Sequence, residues 1–339
     1  MARPKQDREP SMFDVARVAG VSHQTVSRVL NDHPNVRAET RSRVQAAIAE
    51  LGYRRNDAAR ALATGKSRVL GVVAPRSTLF GPVSMLAAFD ERAAAAGFSV
   101  SIGQVRALDR PAIDEAVQRH LDQRVAGLVV LAPVIALDGA LDHLPTDVPH
   151  VLINGDPVRG GASVRVDQVA GARLATRHLL DAGHRTVWHV SGPDDWFDAA
   201  GRVAGWDAEL RAAGIVPPPP VAGDWSAASG YRAGELLGRM PEVTAIFAAN
   251  DAMAMGVLRA LSELGRAVPH DVSVVGFDDA PESGYLVPPL TTVRQDFDAV
   301  AHEALGLLLE QLESRGGPRR VEVPPTLVER SSVAPPPGD

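Results

Sequence analysis

The 339 residues contain no cysteine, which excludes a disulfide framework, a thiolate metal site and a cysteine nucleophile. No apolar run is long enough to span a bilayer, and the opening "MARPKQDREPS" lacks the apolar core of a secretory signal. A cytoplasmic location is therefore expected. The ten His are scattered, and neither a phosphate loop nor a nucleophile–base constellation occurs. No catalytic centre, metal or other cofactor is expected. What is present is an ordinary globular composition, 45% apolar and 22% charged, over a length that suits two or three domains.

The charge is unevenly spread. Residues 1–66 hold 12 Lys and Arg against 7 Asp and Glu, a net of +5, and since the whole chain sums to −6 the rest carries −11. A basic head on an acidic body points to a polyanion met by the head alone.

Within that head, Phe13, Val15, Ala16 and Ala19 group as the apolar face of a short helix that Gly20 ends. Ser22 then suits the N-cap of a second helix running to Leu30. Val26, Val29 and Leu30 recur at helical spacing and turn inward, which leaves His23, Gln24, Ser27 and Arg28 outward. A third helix follows, with Val44, Ala47, Ile48 and Leu51 at its inner spacing and Gly52 as its stop. Three short helices with a glycine turn between the first two read as a helix-turn-helix. The outward residues suit a DNA major groove: Gln pairs bidentately with adenine and Arg with guanine, while hydroxyls and helix N-terminal amides hold phosphates.

The stretch "DVARVAGVSHQTVSRVLN", followed by "VRAETRSRVQAAIAELGYRRNDAARALATGKSRVLGVV", resembles the lactose-repressor (LacI/GalR) family of bacterial transcription regulators. The resemblance implies that His23, Gln24 and Arg28 read bases while Ser22, Thr25, Ser27 and Asn31 hold the DNA backbone. It also implies a short linker helix at about 56–63 beginning near Asn56. Leu62 would then be an apolar wedge for the minor groove, its unstacking cost returned by a bent duplex that meets more protein. A nucleoid-associated repressor follows from this.

From Arg68 onward, strand-like runs ("RVLGVVAP", "SVSIGQV", "AGLVVLAP", "HVLIN") alternate with helical ones such as "VSMLAAFDERAAAAG". A second series repeats the scheme with "TVWHVSG", "TAIFAAN" and "VSVVGFDD". Near-continuous apolar strands between helices indicate parallel sheets covered on both faces. The expected architecture is α/β: a three-helix head with hinge helix over 1–66, then a periplasmic-binding-protein-like body of two subdomains over 67–339. The N-subdomain would take about 67–166 plus 297–324, and the C-subdomain about 167–296 plus 325–334.

Ligands of such folds sit beyond the carboxyl ends of the strands. There stand Asn154, Asn250, Asp251, Asp278 and Asp279, with Arg202 early in a helix and Trp225 after a short strand. Asp251 and Asp279 suit helix capping, whereas Asn250, Asp278 and Arg202 suit the hydroxyls of a ligand and Trp225 its apolar face. The family resemblance, closest to the branch that gives the family its name, places effector contacts on Leu79, Pro82, Asn154, Arg202, Trp225, Asn250, Asp278 and Phe297. There are departures: Asn154 stands for an acid, Leu131 for a polar residue and Val166 for an aromatic one. "DDWF" replaces a serine-rich loop, which brings Trp196 to the mouth as either a stacking floor for a second sugar unit or surface packing. A sugar or glycoside is expected, with a galactoside-like ring favoured, while another sugar or a nucleobase stays open.

The family dimerises through its ligand domains, which sets two recognition helices about 34–36 Å apart over a pseudo-palindromic operator. The Pro-rich ending "LVERSSVAPPPGD" cannot form an amphipathic zipper, so a homodimer is expected. Two other classes share part of this pattern. A transport solute-binding protein would share the body but not residues 12–63. A glycosidase would use Asp251 and Asp278, but an Asp beside an inward Arg is expected to stay ionised and make a poor general acid.

Overall fold

A computed structural model describes residues 10–30, 32–53, 67–135, 148–155 and 161–338. The chain divides into two compact units, Met1–Ser67 and Arg68–Asp339.

The smaller unit holds α1 (Met12–Ala19), α2 (His23–Leu30) and α3 (Ala38–Leu51). Ser11 opens α1 with a capping box. Its hydroxyl accepts from the Asp14 N–H, and the Asp14 carboxylate accepts from the Ser11 N–H at 3.0 Å, so two otherwise orphaned donors are satisfied. Gly20 ends the helix at φ +65°, a left-handed conformation that costs a side chain 1–2 kcal/mol or roughly so. The core is Val15, Ala16, Ala19, Val26, Val29, Val44 and Ala47. Phe13 does not join it, and the expected grouping is corrected here: its ring is 69% exposed. Residues two apart on a helix lie about 200° round, so Phe13 and Val15 cannot share a face. The linker helix expected at 56–63, with Asn56 and Leu62, lies outside the described residues, as does Asn31.

The larger unit contains two six-stranded sheets. The first, ordered β11-β5-β4-β3-β1-β2, comprises β1 (Val69–Pro75), β2 (Ser99–Val105), β3 (Gly127–Leu131), β4 (His150–Ile153), β5 (Ala162–Val166) and β11 (Arg319–Val323). All of its pairings are parallel, with Val72 opposite both Ile102 and Val129. The second, ordered β12-β10-β9-β8-β6-β7, comprises β6 (Trp188–Ser191), β7 (Val221–Ala222), β8 (Ala245–Ala248), β9 (Ser273–Asp278), β10 (Thr291–Arg294) and β12 (Thr326–Val328). Only β12 runs antiparallel, against β10.

Helices α4 (Phe80–Ala95), α5 (Arg110–Asp122) and α10 (Phe297–Leu312) cover the first sheet. The second is flanked by α6 (Gln168–Asp181), α7 (Phe197–Ala212), α8 (Ala227–Gly238) and α9 (Asp251–Glu263). Each sheet has one apolar core on either face. Central strands such as β1, β3, β8 and β9 are buried almost throughout, while β2, at a sheet edge, is largely open. The chain passes between the lobes after β5, after β10 and after β11. A further link joins them: Val134 bridges Trp196, the Ile135 N–H donates to the Asp195 carbonyl at 2.8 Å, and the Phe197 N–H to the Pro133 carbonyl at 2.9 Å.

Candidate functional site

In the head, the N–H of Thr25 donates to the Ser22 hydroxyl at 3.2 Å, so Ser22 caps α2 and fixes its first turn. Ser22, His23, Gln24 and Arg28 are exposed, while Thr25 and Ser27 are partly buried. Phe13 of α1 stacks on His23, with ring centroids 4.7 Å apart and planes at 17°. The exposed face of α2 is thus extended by an aromatic ring from the neighbouring helix.

In the body, the nine residues expected at the effector all line two adjoining cavities between the lobes. Leu79, Pro82, Trp196, Arg202, Trp225, Asn250 and Asp278 line one of about 40 Å³. Asn154 and Phe297, again with Pro82 and Trp196, line the other, of about 30 Å³. The first lobe supplies its wall from the start of α4 and α10 and the end of β4. The second lobe supplies the polar groups, from the ends of β8 and β9 and the first turns of α7.

Arg202 organises these. Only 3% exposed, it donates from Nε to Gln168 Oε1 at 2.9 Å and from Nη1 to the Ala249 carbonyl. Its guanidinium lies 3.8 Å from the centroid of Phe277 and 5.3 Å from that of Trp225. Asp278 stands 3.8 Å away. The amide chain closes through Gln168 Nε2 donating to Gln295 Oε1 at 2.9 Å, and Gln295 Nε2 to Asp278 Oδ1 at 2.6 Å. The arginine is therefore held by a ring of neutral groups with one carboxylate at its edge.

That edge carboxylate does not behave as expected. Burial outweighs the pull of Arg202 and pushes the Asp278 carboxyl up to about 7, because desolvation penalises the charged form and a cation at 3.8 Å only partly offsets it. The expectation that Asp278 stays firmly ionised is thereby corrected.

The capping expectations change too. Asp251 caps nothing; its carboxylate accepts from the Ser283 and Thr292 hydroxyls, both at 2.6 Å, and from the Ala280 N–H at 2.8 Å. Burial still raises it to about 6. Asp279 instead pairs with Arg294 and Arg330, both at 2.6 Å. It is Asn250 that caps α9, accepting from the Met253 N–H at 2.8 Å while donating to the Trp225 carbonyl at 3.1 Å.

Trp225 adopts φ +70° and is 5% exposed. Its ring lies over Gly192, where a Cβ would come within 2.2 Å of it, so only glycine admits it. Among the described residues the buried Trp225 Nε1–H has no hydrogen-bond partner, and Trp196 meets the ring edge-on at 5.7 Å and 68°. Sequence reasoning missed Asp198, Gln168 and Gln295. Asp198 accepts from Asn154 Nδ2 at 3.3 Å, a hydrogen bond from one lobe to the other, and burial raises its carboxyl. Its signal was available: Asp198 and Arg202 stand four apart on α7 and so share a face.

A three-helix head with a capped, polar-faced second helix, joined to a two-sheet body with a polar cleft, defines a DNA-binding regulator with an effector domain. Residues 11–56 match the profile described as "Bacterial regulatory proteins, lacI family", and residues 176–333 match "Periplasmic binding protein-like domain". The chain is 36% identical over 328 residues to the lactose operon repressor of Escherichia coli K12, covering 96% of this chain and 91% of that protein. It is 33% identical to the HTH-type transcriptional repressor PurR of Escherichia coli O1:K1, covering 95% of this chain and 96% of PurR. Among solved structures, the lac repressor dimer bound to operator and the anti-inducer ONPF matches with a TM-score of 0.85 at 35% identity, over 96% of this chain and all of that one. The transcriptional regulator CelR in complex with cellobiose matches with a TM-score of 0.69 at 30% identity, over 95% of this chain and 99% of that one. The chain belongs to the LacI family of bacterial regulatory proteins. It is a DNA-binding transcriptional repressor, as its relatives are, and not an enzyme. No helix of the described residues is long and apolar enough to cross a membrane.

Proposed function

We propose that this repressor is controlled by a sugar or glycoside bound between the lobes of its body. The supporting observation is the convergence of Arg202, Asn250 and Asp278 beside the buried face of Trp225. Donors and acceptors that line one cavity with an indole match vicinal hydroxyls on one side of a sugar and its C–H face on the other. The lactose operon named for one relative and the cellobiose of another support the same class. A galactoside-like ring is favoured.

Ser22, His23, Gln24, Thr25, Ser27 and Arg28 contact the operator from α2, joined by Asn31, Asn56 and Leu62. The protein acts in the cytoplasm, on the nucleoid, as a homodimer over a pseudo-palindromic operator. Sugar binding lowers operator affinity, and the domains keep the boundaries expected above. Thermal-shift screening of mono- and disaccharides and nucleobases tests the effector class. A saccharide should raise the melting temperature of the wild-type protein, and Trp225→Ala and Arg202→Ala should each abolish the shift. A hit indifferent to both substitutions would place the site elsewhere, and a nucleobase as sole hit would replace the sugar.

A further inference from the structure

The lobes of the body meet at a contact that the chain crossings do not supply. The segment leaving β3 and the segment leaving β6 both emerge at the carboxyl ends of their sheets, where ligands of such folds sit. There they pair as one step of antiparallel ladder. Val134 faces Trp196, the Ile135 N–H donates to the Asp195 carbonyl at 2.8 Å, and the Phe197 N–H donates to the Pro133 carbonyl at 2.9 Å. A turn shapes the second segment, with the Trp196 N–H donating to the Pro193 carbonyl at 3.2 Å.

Trp196 pins this pairing from within. It packs against the core that holds Val134 and Leu152 in the first lobe and against the core that holds Trp225 in the second. It also lines both effector cavities, of about 30 and 40 Å³. Pockets that hold small molecules measure roughly 300–1,000 Å³. A sugar ring can therefore enter only if the lobes part or Trp196 moves, and either motion pulls the two segments beyond hydrogen-bond distance. The outer ends of the pairing suit such opening: Ile135 and Asp195 are exposed, so water replaces their bond at small net cost.

We propose that residues 133–135 and 195–197 form a strap across the cleft that must unzip before an effector enters or leaves, and that this opening sets the rate of effector exchange. The inference rests on the reading of the cleft as the effector site and adds a kinetic gate to it.

A disulfide across the strap tests it. The chain has no cysteine, so Ile135→Cys with Asp195→Cys introduces the only two thiols and changes neither Trp196 nor any residue lining the cavities. Opposed antiparallel residues have Cα atoms about 4.5–5.5 Å apart, within the roughly 4.4–6.8 Å that a disulfide spans. The probe is the saccharide of a mono- and disaccharide panel that gives the largest thermal shift, and stopped-flow tryptophan fluorescence of the full-length protein gives its rates. Oxidation should slow association and dissociation together by about tenfold or more, as a closed lid does, and reductant should restore both. Ile135→Pro, which deletes one strap donor, should instead speed both about two- to tenfold, the weight of one net hydrogen bond. Should the disulfide not form, Ile135→Pro decides alone. A saccharide that depends on Trp225 but exchanges at the same rates in all these forms overturns the strap and leaves the site reading intact. One indifferent to Trp225→Ala as well removes the site reading. If no saccharide binds, the sugar reading falls. The strap is then judged by hydrogen exchange at the Phe197 amide, and exchange as fast in the unaltered protein as in Ile135→Pro overturns it.

Discussion

Asp278 contributes a pH dependence to the cleft, beside the Asp198 carboxyl that burial also raises. The folded Asp278 carboxyl, near 7, lies above the unfolded value of about 3.9. Between those limits the native chain holds a proton that the unfolded chain has released. The contribution of Asp278 to stability is therefore greatest in acid and falls as pH rises through about 4 to 7. A ligand that donates hydroxyls to the ionised carboxylate reverses this, since it pulls the proton off. Effector affinity should rise severalfold between pH 6 and pH 8, with proton release visible as a buffer-dependent binding enthalpy. Asp278→Asn should reduce both. His189 titrates in the opposite sense: burial lowers it to about 4, so it stays neutral between Trp206 and Phe247 throughout that range.

Among the elements, α8 and α9 make the closest approach. A Cβ on Gly230 would fall 2.0 Å from the Met253 carbonyl oxygen, and one on Gly256 2.0 Å from that of Ala227. Backbone cannot yield as a side-chain tip does, so Gly256→Ala should cost about 1–3 kcal/mol, as overpacking does, read as a lowered denaturant midpoint. Trp225 precedes the Ser226 cap of α8, so the same substitution should also weaken effector binding. The apolar strands β1, β3, β4, β8 and β9 were legible in the sequence because a strand buried on both faces is written as an unbroken aliphatic run. Less legible were β10, whose Thr291 and Thr292 are fully buried but polar, and the short β12. For the site, strand ends pointed to Asn154, Asn250 and Asp278. Gln168 and Gln295 serve Arg202 only through contacts 34 and 127 residues apart along the chain, which no local pattern reveals.

For the whole molecule, the proposed control makes effector and operator binding thermodynamically reciprocal. If the sugar lowers operator affinity by some factor, the operator must lower sugar affinity by the same factor, typically about 5- to 150-fold. Titrating the effector with and without saturating operator should return the ratio that gel shifts give in the other direction; unequal ratios would rule out a single two-site switch. Operator binding itself should weaken steeply with salt, about a thousandfold from 50 to 200 mM if each pair of heads neutralises six or more phosphates.

The edge-on pair of Trp196 and Trp225 makes the cleft self-reporting. Both indoles belong to the second lobe, yet Trp196 is stitched to the first by the Val134 bridge. Any rotation of the lobes alters how that pair shares excitation, and a ligand seated on Trp225 would alter the polarity around it. Intrinsic fluorescence can thus follow occupancy in solution without a dye, with Trp188 and Trp206 as a steady background that substitution to phenylalanine would remove.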